Sequence, residues 1–172
     1  MARPRATSAA PKSPDPTAWP AFLLSQVGAH SAGCFADRLA PLGLKPPHAG
    51  ILRALDRADG LSQQALGEAL GAFPSRLVTL LDELERRGLV ERRDRPGDRR
   101  SYALHLTDAG REALKQIARV ARQHQDDLCA ALNASEQAQL AGYLRRIAEH
   151  QRLIPGIHPG WKLQAEGRPG ES

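Results

Sequence analysis

The sequence predicts a mainly α-helical protein with one small β-hairpin, and three observations favour this fold class. Aromatic residues make up only 4% of the 172 residues, so the core must be built from Ala, Leu, Val and Ile, which favours helices. Apolar residues recur at three- and four-residue spacing along most of the chain. Two short segments on either side of Pro96-Gly97 are patterned as strands. The length suits one domain of ordinary size, or a small domain with a long oligomerisation element.

Two helices are predicted in the first part of the chain. The first occupies residues 18 to 42, where Pro41 and Gly43 end it. Its apolar side carries Leu23, Val27, His30, Cys34, Phe35, Leu39 and Leu42. The second begins at about Pro47, a residue favoured at the first helical position, and stops at the Asp59-Gly60 turn. Its inward face is Ile51, Leu52 and Leu55.

The next segment predicts a helix-turn-helix. Ser62 can cap a short helix that ends at Gly71, and Pro74 opens another helix that runs through Arg87 to a stop at Gly88. The two inner faces are Ala65, Leu66, Ala69 and Leu70, and Leu77, Leu80, Leu81 and Leu84. Two short helices joined by a turn that contains glycine make this motif.

A β-hairpin and two further helices complete the pattern. Residues 89 to 93 and 101 to 106 form the strands, and Pro96-Gly97 is a turn signal at a basic tip. Thr107 caps a long helix, and Asn133 with Glu136 resembles a capping box that starts the last one. The long helix is lined by Leu114, Ile117, Ala121, His124, Leu128 and Ala131, and the last by Leu140, Tyr143, Leu144 and Ile147. The order of elements predicts a winged helix-turn-helix with N- and C-terminal dimerisation helices, because one small winged domain cannot cover these apolar stripes.

The charge of the chain points to nucleic acid as the first partner to test. Lys and Arg outnumber Asp and Glu by 24 to 19, the pI is about 9.8, and most of the positive charge is arginine, whose planar fork suits phosphate. Between Arg86 and Arg100 the chain holds seven arginines against three acids. For Arg86, Arg87, Arg92 and Arg93, a solvated face paired with nearby glutamates is an equally good interpretation. Ser75, Arg76 and Thr79, near the start of the second motif helix, offer donors to base edges and phosphates in a major groove.

The same segments resemble the MarR (multiple antibiotic resistance regulator) family over residues 19 to 153. The resemblance rests on Leu44 to His48, Leu66 to Gly71, Leu80 to Val90, and above all Asp98-Arg99-Arg100 through Leu106-Thr107-Asp108-Ala109-Gly110. The last block is similar to the family's Asp-x-Arg wing followed by Leu-Thr-x-x-Gly. The chain departs from the family's pattern in two places. At the start of the helix that Pro74 opens, which corresponds to the family's DNA-recognition helix, the residues Ala72, Phe73, Pro74 and Val78 stand where the family often has polar side chains. The segment Pro20-Ala21-Phe22 lacks the reactive cysteine of the family's hydroperoxide sensors.

The resemblance implies a homodimeric transcriptional regulator, most often a repressor, that binds a pseudo-palindromic double-stranded DNA operator and is released by a small aromatic ligand. It implies that Arg100 enters a minor groove and that Asp98 braces it. The predicted DNA contacts are Ser62, Gln63, Ser75, Arg76, Thr79, Arg95, Asp98, Arg99 and Arg100, of which Ser62 is equally explained as a helix cap. The predicted ligand contacts are His30, Cys34, His48 and Arg53, for which core packing or plain surface exposure is the simpler interpretation.

The remaining residues favour no other chemistry. The six histidines have no metal-ligand spacing, and P-loop, dinucleotide and nucleophile-elbow motifs are absent, so we expect no metal, no cofactor and no enzymatic activity. Apolar runs are too short for a membrane span and Cys34 and Cys129 lack Cys-x-x-Cys spacing, which predicts a cytoplasmic protein. Two alternatives stay open: a winged-helix module that binds an acidic protein, and a redox-responsive regulator that uses one of the cysteines.

The expected organisation, in chain order, is a disordered basic arm (1–16), a first dimerisation helix (17–46), the winged helix-turn-helix domain (47–107), a long helix with the C-terminal dimerisation helix (108–154), and an irregular tail (155–172).

Overall fold

The computed structural model describes residues 15–95 and 98–157, without the side chains of residues 95 and 98–101. The basic arm up to residue 14, the Pro96-Gly97 turn and the tail from residue 158 therefore lie outside the described residues. The elements are a 3-10 turn (Pro16–Ala18), α1 (Pro20–Leu39), a second 3-10 turn (Ala40–Leu42), α2 (Pro46–Arg57), β1 (Leu61–Ser62), α3 (Gln63–Leu70), α4 (Pro74–Arg86), β2 (Val90–Arg95), β3 (Asp98–Leu106), α5 (Asp108–Leu128) and α6 (Ala134–His150).

The chain forms two compact units, which divide within α1 between Gly33 and Cys34. The described part of the first unit begins with Asp15, whose carboxylate accepts a hydrogen bond from the backbone N–H of Thr17 and caps the 3-10 turn. The side chains of this unit include a group of exposed large apolar residues: Trp19, Phe22, Leu23, Leu24 and Val27.

The second unit contains the helix-turn-helix and a three-stranded antiparallel sheet in the order β1-β3-β2. β2 pairs with β3 from Val90 opposite Leu106 to Arg95 opposite Asp98, with an irregularity between Asp94 and Arg95. The core is built almost entirely from leucine and isoleucine, as the composition predicts. Its most deeply buried members are Leu39, Ile51, Leu52, Leu55, Leu66, Leu70, Leu77, Leu81, Leu84, Leu104 and Ile117. The predicted fold class is confirmed.

The predicted helix caps are confirmed at three helix starts. The side-chain oxygens of Ser62, Thr107 and Asn133 accept hydrogen bonds from the backbone N–H groups of Ala65, Gly110 and Glu136, at 3.1, 3.0 and 3.1 Å. The carboxylate of Glu136 accepts a bond from the N–H of Asn133 and completes the capping box. At the other end of α3, Gly71 has the left-handed conformation (φ 61°) that favours glycine.

The structure corrects four predicted boundaries. The first α-helix ends at Leu39, because Pro41 lacks an N–H to continue it and the chain turns as a 3-10 segment into left-handed Gly43. α2 begins at Pro46, one residue before the predicted start. β3 begins at Asp98, three residues before the predicted one, because its pairing with β2 extends to Arg95. The long helix ends at Leu128, where the hydrogen bonds tighten, and not at Ala131.

Candidate nucleic-acid interface

α4 presents a buried face and an exposed face in its first half. Leu77, Leu80, Leu81 and Leu84 pack into the core, as the spacing predicts. Ser75, Val78 and Thr79 are exposed on the other side, and Arg76 lies half-buried between the two faces. The Thr79 hydroxyl donates a hydrogen bond to the carbonyl of Ser75 at 3.3 Å. The first half of α4 is therefore accessible to a partner.

The three acids of α4 are each paired with a cation from another element. The Arg92 guanidinium on β2 contacts Asp82 at 2.6 Å and also binds Glu85. The ammonium of Lys45, just before α2, lies 3.0 Å from Glu83. This pairing lowers the pKa of Glu83, chiefly through the hydrogen bond from Lys45. The helix therefore carries little net negative charge that would repel a nucleic acid.

α3 lies beside α4, and the gap between them forms an open cavity. Ser62 is half-buried and serves as the cap of α3, so its predicted phosphate contact remains a prediction. Gln63 is half-buried too and lines the cavity. The cavity measures about 520 Å³ and is mostly apolar, and its lining is Gln63, Gln64, Gly67, Glu68, Gly71, Ala72, Pro74 and Leu77.

The hairpin holds the remaining predicted DNA contacts. The backbone of Arg95, Asp98, Arg99 and Arg100 belongs to β2 and β3, but their side chains lie outside the described part, so the brace between Asp98 and Arg100 remains a prediction. Within the described part, Arg93 binds Glu91 and Arg92 binds Glu85, which favours the solvated-face interpretation for both arginines. The guanidinium of Arg87, which precedes the hairpin, donates one hydrogen bond to the carbonyl of Leu42, at 2.8 Å, and another to the carbonyl of Gly43.

His48 is buried in the core, at 1% exposure, and the view of it as a surface residue at a helix start is wrong. Its Nδ1 accepts a hydrogen bond from the backbone N–H of Lys45 at 3.2 Å, so Nε2 carries the proton of the neutral ring. Nε2 lies 3.0 Å from a Glu83 carboxylate oxygen, without the alignment of a hydrogen bond. Burial lowers the pKa of His48, and Glu83 opposes that shift. His48, Lys45 and Glu83 thus link the start of α2 to the back of α4.

The other predicted ligand contacts lie in different surroundings. His30 is exposed on α1 in the first unit, and Cys34 is half-buried at the start of the second unit. Arg53 is exposed and lines a cavity of about 150 Å³ between α2 and the segment that follows α6. His48 is not among the residues that line that cavity. A ligand role for these residues remains a prediction.

The described residues contain neither a candidate metal site nor a candidate membrane span. Across residues 15–95 and 98–157, there is no group of three or more His, Cys, Asp or Glu side chains that could hold a metal ion. None of the helices in this part of the chain is long and apolar enough to cross a bilayer. In the same residues Cys34 and Cys129 are half-buried and form no disulfide.

Two features were not evident from the sequence. The link through Lys45, His48 and Glu83 joins residues far apart in the chain, and neither hydrophobic periodicity nor a motif marks it. The exposure of Phe73, at the N-cap of α4, is the second, because the leucine spacing predicts the faces of the helix and not the residue before it.

A three-stranded sheet beside a helix-turn-helix, with a hairpin rich in arginine, defines the class of winged helix-turn-helix proteins. The family model described as the MarR family matches residues 42–101. A candidate transcriptional regulatory protein for the hcr operon of Thauera aromatica is 36% identical over 113 residues, which cover 66% of this chain and 68% of that protein. The chain therefore belongs to the MarR family of transcriptional regulators.

Other relatives agree with this family assignment. Transcriptional repressor MprA of Escherichia coli (strain K12) is 35% identical over 79 residues, or 46% of this chain and 45% of MprA. A crystal structure is known for the MarR family protein Rv2887 of Mycobacterium tuberculosis in complex with DNA. This chain is 29% identical to it in sequence and superposes with a TM-score of 0.65, and the match covers 76% of this chain and 98% of Rv2887. Its complex with salicylic acid gives 32% identity and a TM-score of 0.62 over 76% and 96% of the two chains.

Proposed function

We propose that the protein is a homodimeric transcriptional repressor that binds a pseudo-palindromic operator through α3, α4 and the hairpin. The observation that carries the proposal is the exposed first half of α4, on a helix whose acids are all paired by cations from other elements. An exposed helix of this kind fits the width of a major groove, and the arginines of the hairpin suit phosphate or a minor groove. The DNA complex of Rv2887 and the repressor role of MprA support the assignment by similarity.

The homodimer is supported by exposed apolar surface in each unit. Within α6, which the structure describes in full, no residue is buried. Its large apolar side chains recur at helical spacing and are 38% to 58% exposed: Leu140, Tyr143, Leu144 and Ile147. The described part of the first unit exposes a further five large apolar side chains. Exposed apolar surface of this extent on each unit favours burial against a second copy.

Substitution of two arginines in turn distinguishes sequence-specific contacts with bases from non-specific attraction to phosphates. We expect Arg76→Ala to reduce the preference for a selected operator over random duplex by a factor of about 5 to 150, which corresponds to the roughly 1–3 kcal/mol of one bidentate base contact. Arg100→Ala should weaken binding to both duplexes and lower the magnitude of the salt slope by about one. Fluorescence anisotropy titrations at several salt concentrations measure both effects.

Arg119→Ala is the control for loss of one arginine charge, because it removes an exposed arginine from α5, which is not part of the proposed interface. Equal loss of affinity on all sequences by Arg76→Ala would contradict direct reading by Arg76. If the wild-type protein prefers no duplex to any other, the regulator is excluded and the protein-binding module is favoured.

A small aromatic acid is the effector we propose, supported by the salicylic acid complex of Rv2887. The ligand can release DNA only if it binds better to a dimer whose recognition helices are wrongly spaced for successive major grooves. By linkage, operator DNA must weaken ligand binding by the same factor by which the ligand weakens DNA binding. The candidate contacts remain His30, Cys34, His48 and Arg53.

We expect an aromatic acid that lowers operator affinity to bind the preformed complex less tightly than the DNA-free dimer. His30→Ala should reduce ligand affinity and leave DNA binding without ligand nearly unchanged, whereas His150→Ala, a second exposed histidine, should change neither. Calorimetry on both states decides the point. Equal ligand affinities in the two states would contradict the proposed coupling, and an unaltered His30→Ala titration would contradict the role of His30.

A further inference from the structure

The exposed face of α4 carries an apolar side chain among its hydroxyl-bearing residues, and a second apolar side chain is exposed at its N-cap. Val78 is 38% exposed in the middle of that face, and Phe73, at the N-cap of α4, is 45% exposed. Phe73 occupies a position where Ser, Thr, Asp or Asn would stabilise the helix, and a valine in an exposed helical position has lower helix propensity than alanine. Neither residue is placed where it stabilises the fold best, which favours a role in contact with a partner.

Thr79 extends the same apolar surface. Its hydroxyl hydrogen is engaged within the helix by the bond to the carbonyl of Ser75. In this rotamer the hydroxyl hydrogen is directed into the helix, which leaves the methyl group and the oxygen lone pairs of this exposed side chain to face a partner. We call Phe73, Val78 and Thr79 the methyl-reading patch.

The charges around the patch fit a DNA groove better than an apolar protein partner. Asp82, one turn after Val78, is paired with Arg92, and the formal net charge of the chain is +5. An isopropyl group cannot form hydrogen bonds with base edges. The 5-methyl group of thymine is the apolar feature that a base pair presents in the major groove, and apolar side chains pack against it.

On the basis of the proposed function, we infer that the methyl-reading patch recognises thymine 5-methyl groups in the major groove of the operator. Val78 is the central specificity-determining residue, and Phe73 at the N-cap of α4 and the Thr79 methyl are the other apolar groups of the patch. The operator half-sites then carry thymine at one or two positions that face the first half of α4. Arg76 reads a neighbouring base through hydrogen bonds, so that the helix combines polar and apolar reading.

The test removes apolar groups from both sides of the contact: the 5-methyl group of one thymine, and the two γ-methyl groups of Val78. An operator is first selected with the wild-type protein from a library of random duplexes, and each thymine is then replaced singly by deoxyuridine. We expect one or two replacements in each half-site to lower affinity about fourfold, the factor that corresponds to one methyl-sized group withdrawn from water. At the thymine that contacts Val78, the Val78→Ala protein should bind the thymine duplex and the deoxyuridine duplex with equal affinity. A double-mutant cycle requires this result of an interacting pair.

Arg76→Ala serves as the control, because it should weaken binding and keep the ratio of thymine to deoxyuridine affinities. Val78 is exposed, so Val78→Ala should fold normally. The inference is overturned if deoxyuridine has no effect at any position, or if the full ratio survives in both Val78→Ala and Phe73→Ala. In either case an operator is still bound and the proposed function stands. Failure to bind any duplex selectively would overturn both.

Discussion

Replacement of both Leu140 and Leu144 by glutamate will convert the proposed dimer to a monomer and reduce operator binding by at least a hundredfold. Leu140 and Leu144 are exposed on one side of α6, and burial of each against a second chain is worth about 1.5–3 kcal/mol. A buried, unpaired carboxylate at the same position costs several kcal/mol more. In the proposed dimer two linked winged domains bind two half-sites, so loss of the dimer also removes the avidity of the pair.

The matched control places two glutamates on the other side of the same helix. Ala138 and Gly142 each precede one of the two leucines by two residues, a rotation of about 200° around the helix axis. Ala138→Glu with Gly142→Glu should stay dimeric and bind DNA. Light scattering and anisotropy titrations measure the two effects. A Leu140→Glu, Leu144→Glu protein that remains a dimer with full operator affinity would contradict the role of α6.

A methyl group added at Gly110, in the first turn of α5, will destabilise the winged unit by about 3 kcal/mol, a typical cost for forced overpacking. A Cβ at this position would lie 2.1 Å from the backbone carbonyl oxygen of Leu89 and 3.2 Å from Cδ2 of Leu106. The obstacle is backbone that cannot rotate away. The same carbonyl accepts a hydrogen bond from the N–H of Thr107, and the Thr107 hydroxyl donates to the carbonyl of Gly88 at 2.6 Å.

Thermal unfolding at one fixed protein concentration tests Gly110→Ala, which should lower Tm by about 10 °C. Gly142→Ala is the control: it adds the same methyl group to a helix, but nothing lies within 4 Å of the new Cβ. It should stabilise the protein by up to about 1 kcal/mol through helix propensity. A Gly110→Ala protein as stable as Gly142→Ala would mean that α5 does not pack closely against Leu89.

The close approach at Gly110 also explains a motif that the sequence identified only by resemblance. The segment Leu106-Thr107-Asp108-Ala109-Gly110 resembles the family's Leu-Thr-x-x-Gly, and the structure supplies a reason for its ends. Leu106 is buried, Thr107 caps α5, and Gly110 leaves room for the carbonyl of Leu89. The cap was predictable from local chemistry, whereas the contact with Leu89 depends on how the hairpin returns to α5.

Features set by neighbouring residues were predictable from the sequence, and features set by distant residues were not. Apolar spacing identified the buried face of α4, because a helix repeats its faces every three or four residues. β1 was missed, because a two-residue strand is too short to show alternating apolar and polar residues. It is a strand only because Leu61 pairs with Leu104 on β3. The burial of His48 was missed because no local pattern marks it, and its neighbour Glu83, 3.0 Å away, is supplied by a different helix.

The candidate site follows the same division. The position of Ser75, Arg76 and Thr79 on the first half of α4 could be predicted from Pro74 and the leucine spacing that follows it. The pairing of Asp82 and Glu85 with Arg92 could not, because it joins α4 to β2 through the three-dimensional packing of the wing. That pairing turns an acidic-looking helix segment into a surface compatible with DNA.

Hydroxyl-radical footprinting of the wild-type protein on the duplex upstream of its own gene tests the central claim most directly. The account predicts two protected half-sites of related sequence, with centres separated by about one helical turn or a multiple of it, as the symmetry of a dimer requires. It also predicts that protection is lost steeply as the salt concentration rises. Protection spread evenly over the duplex, with no preferred site at any salt concentration, would contradict a sequence-specific regulator.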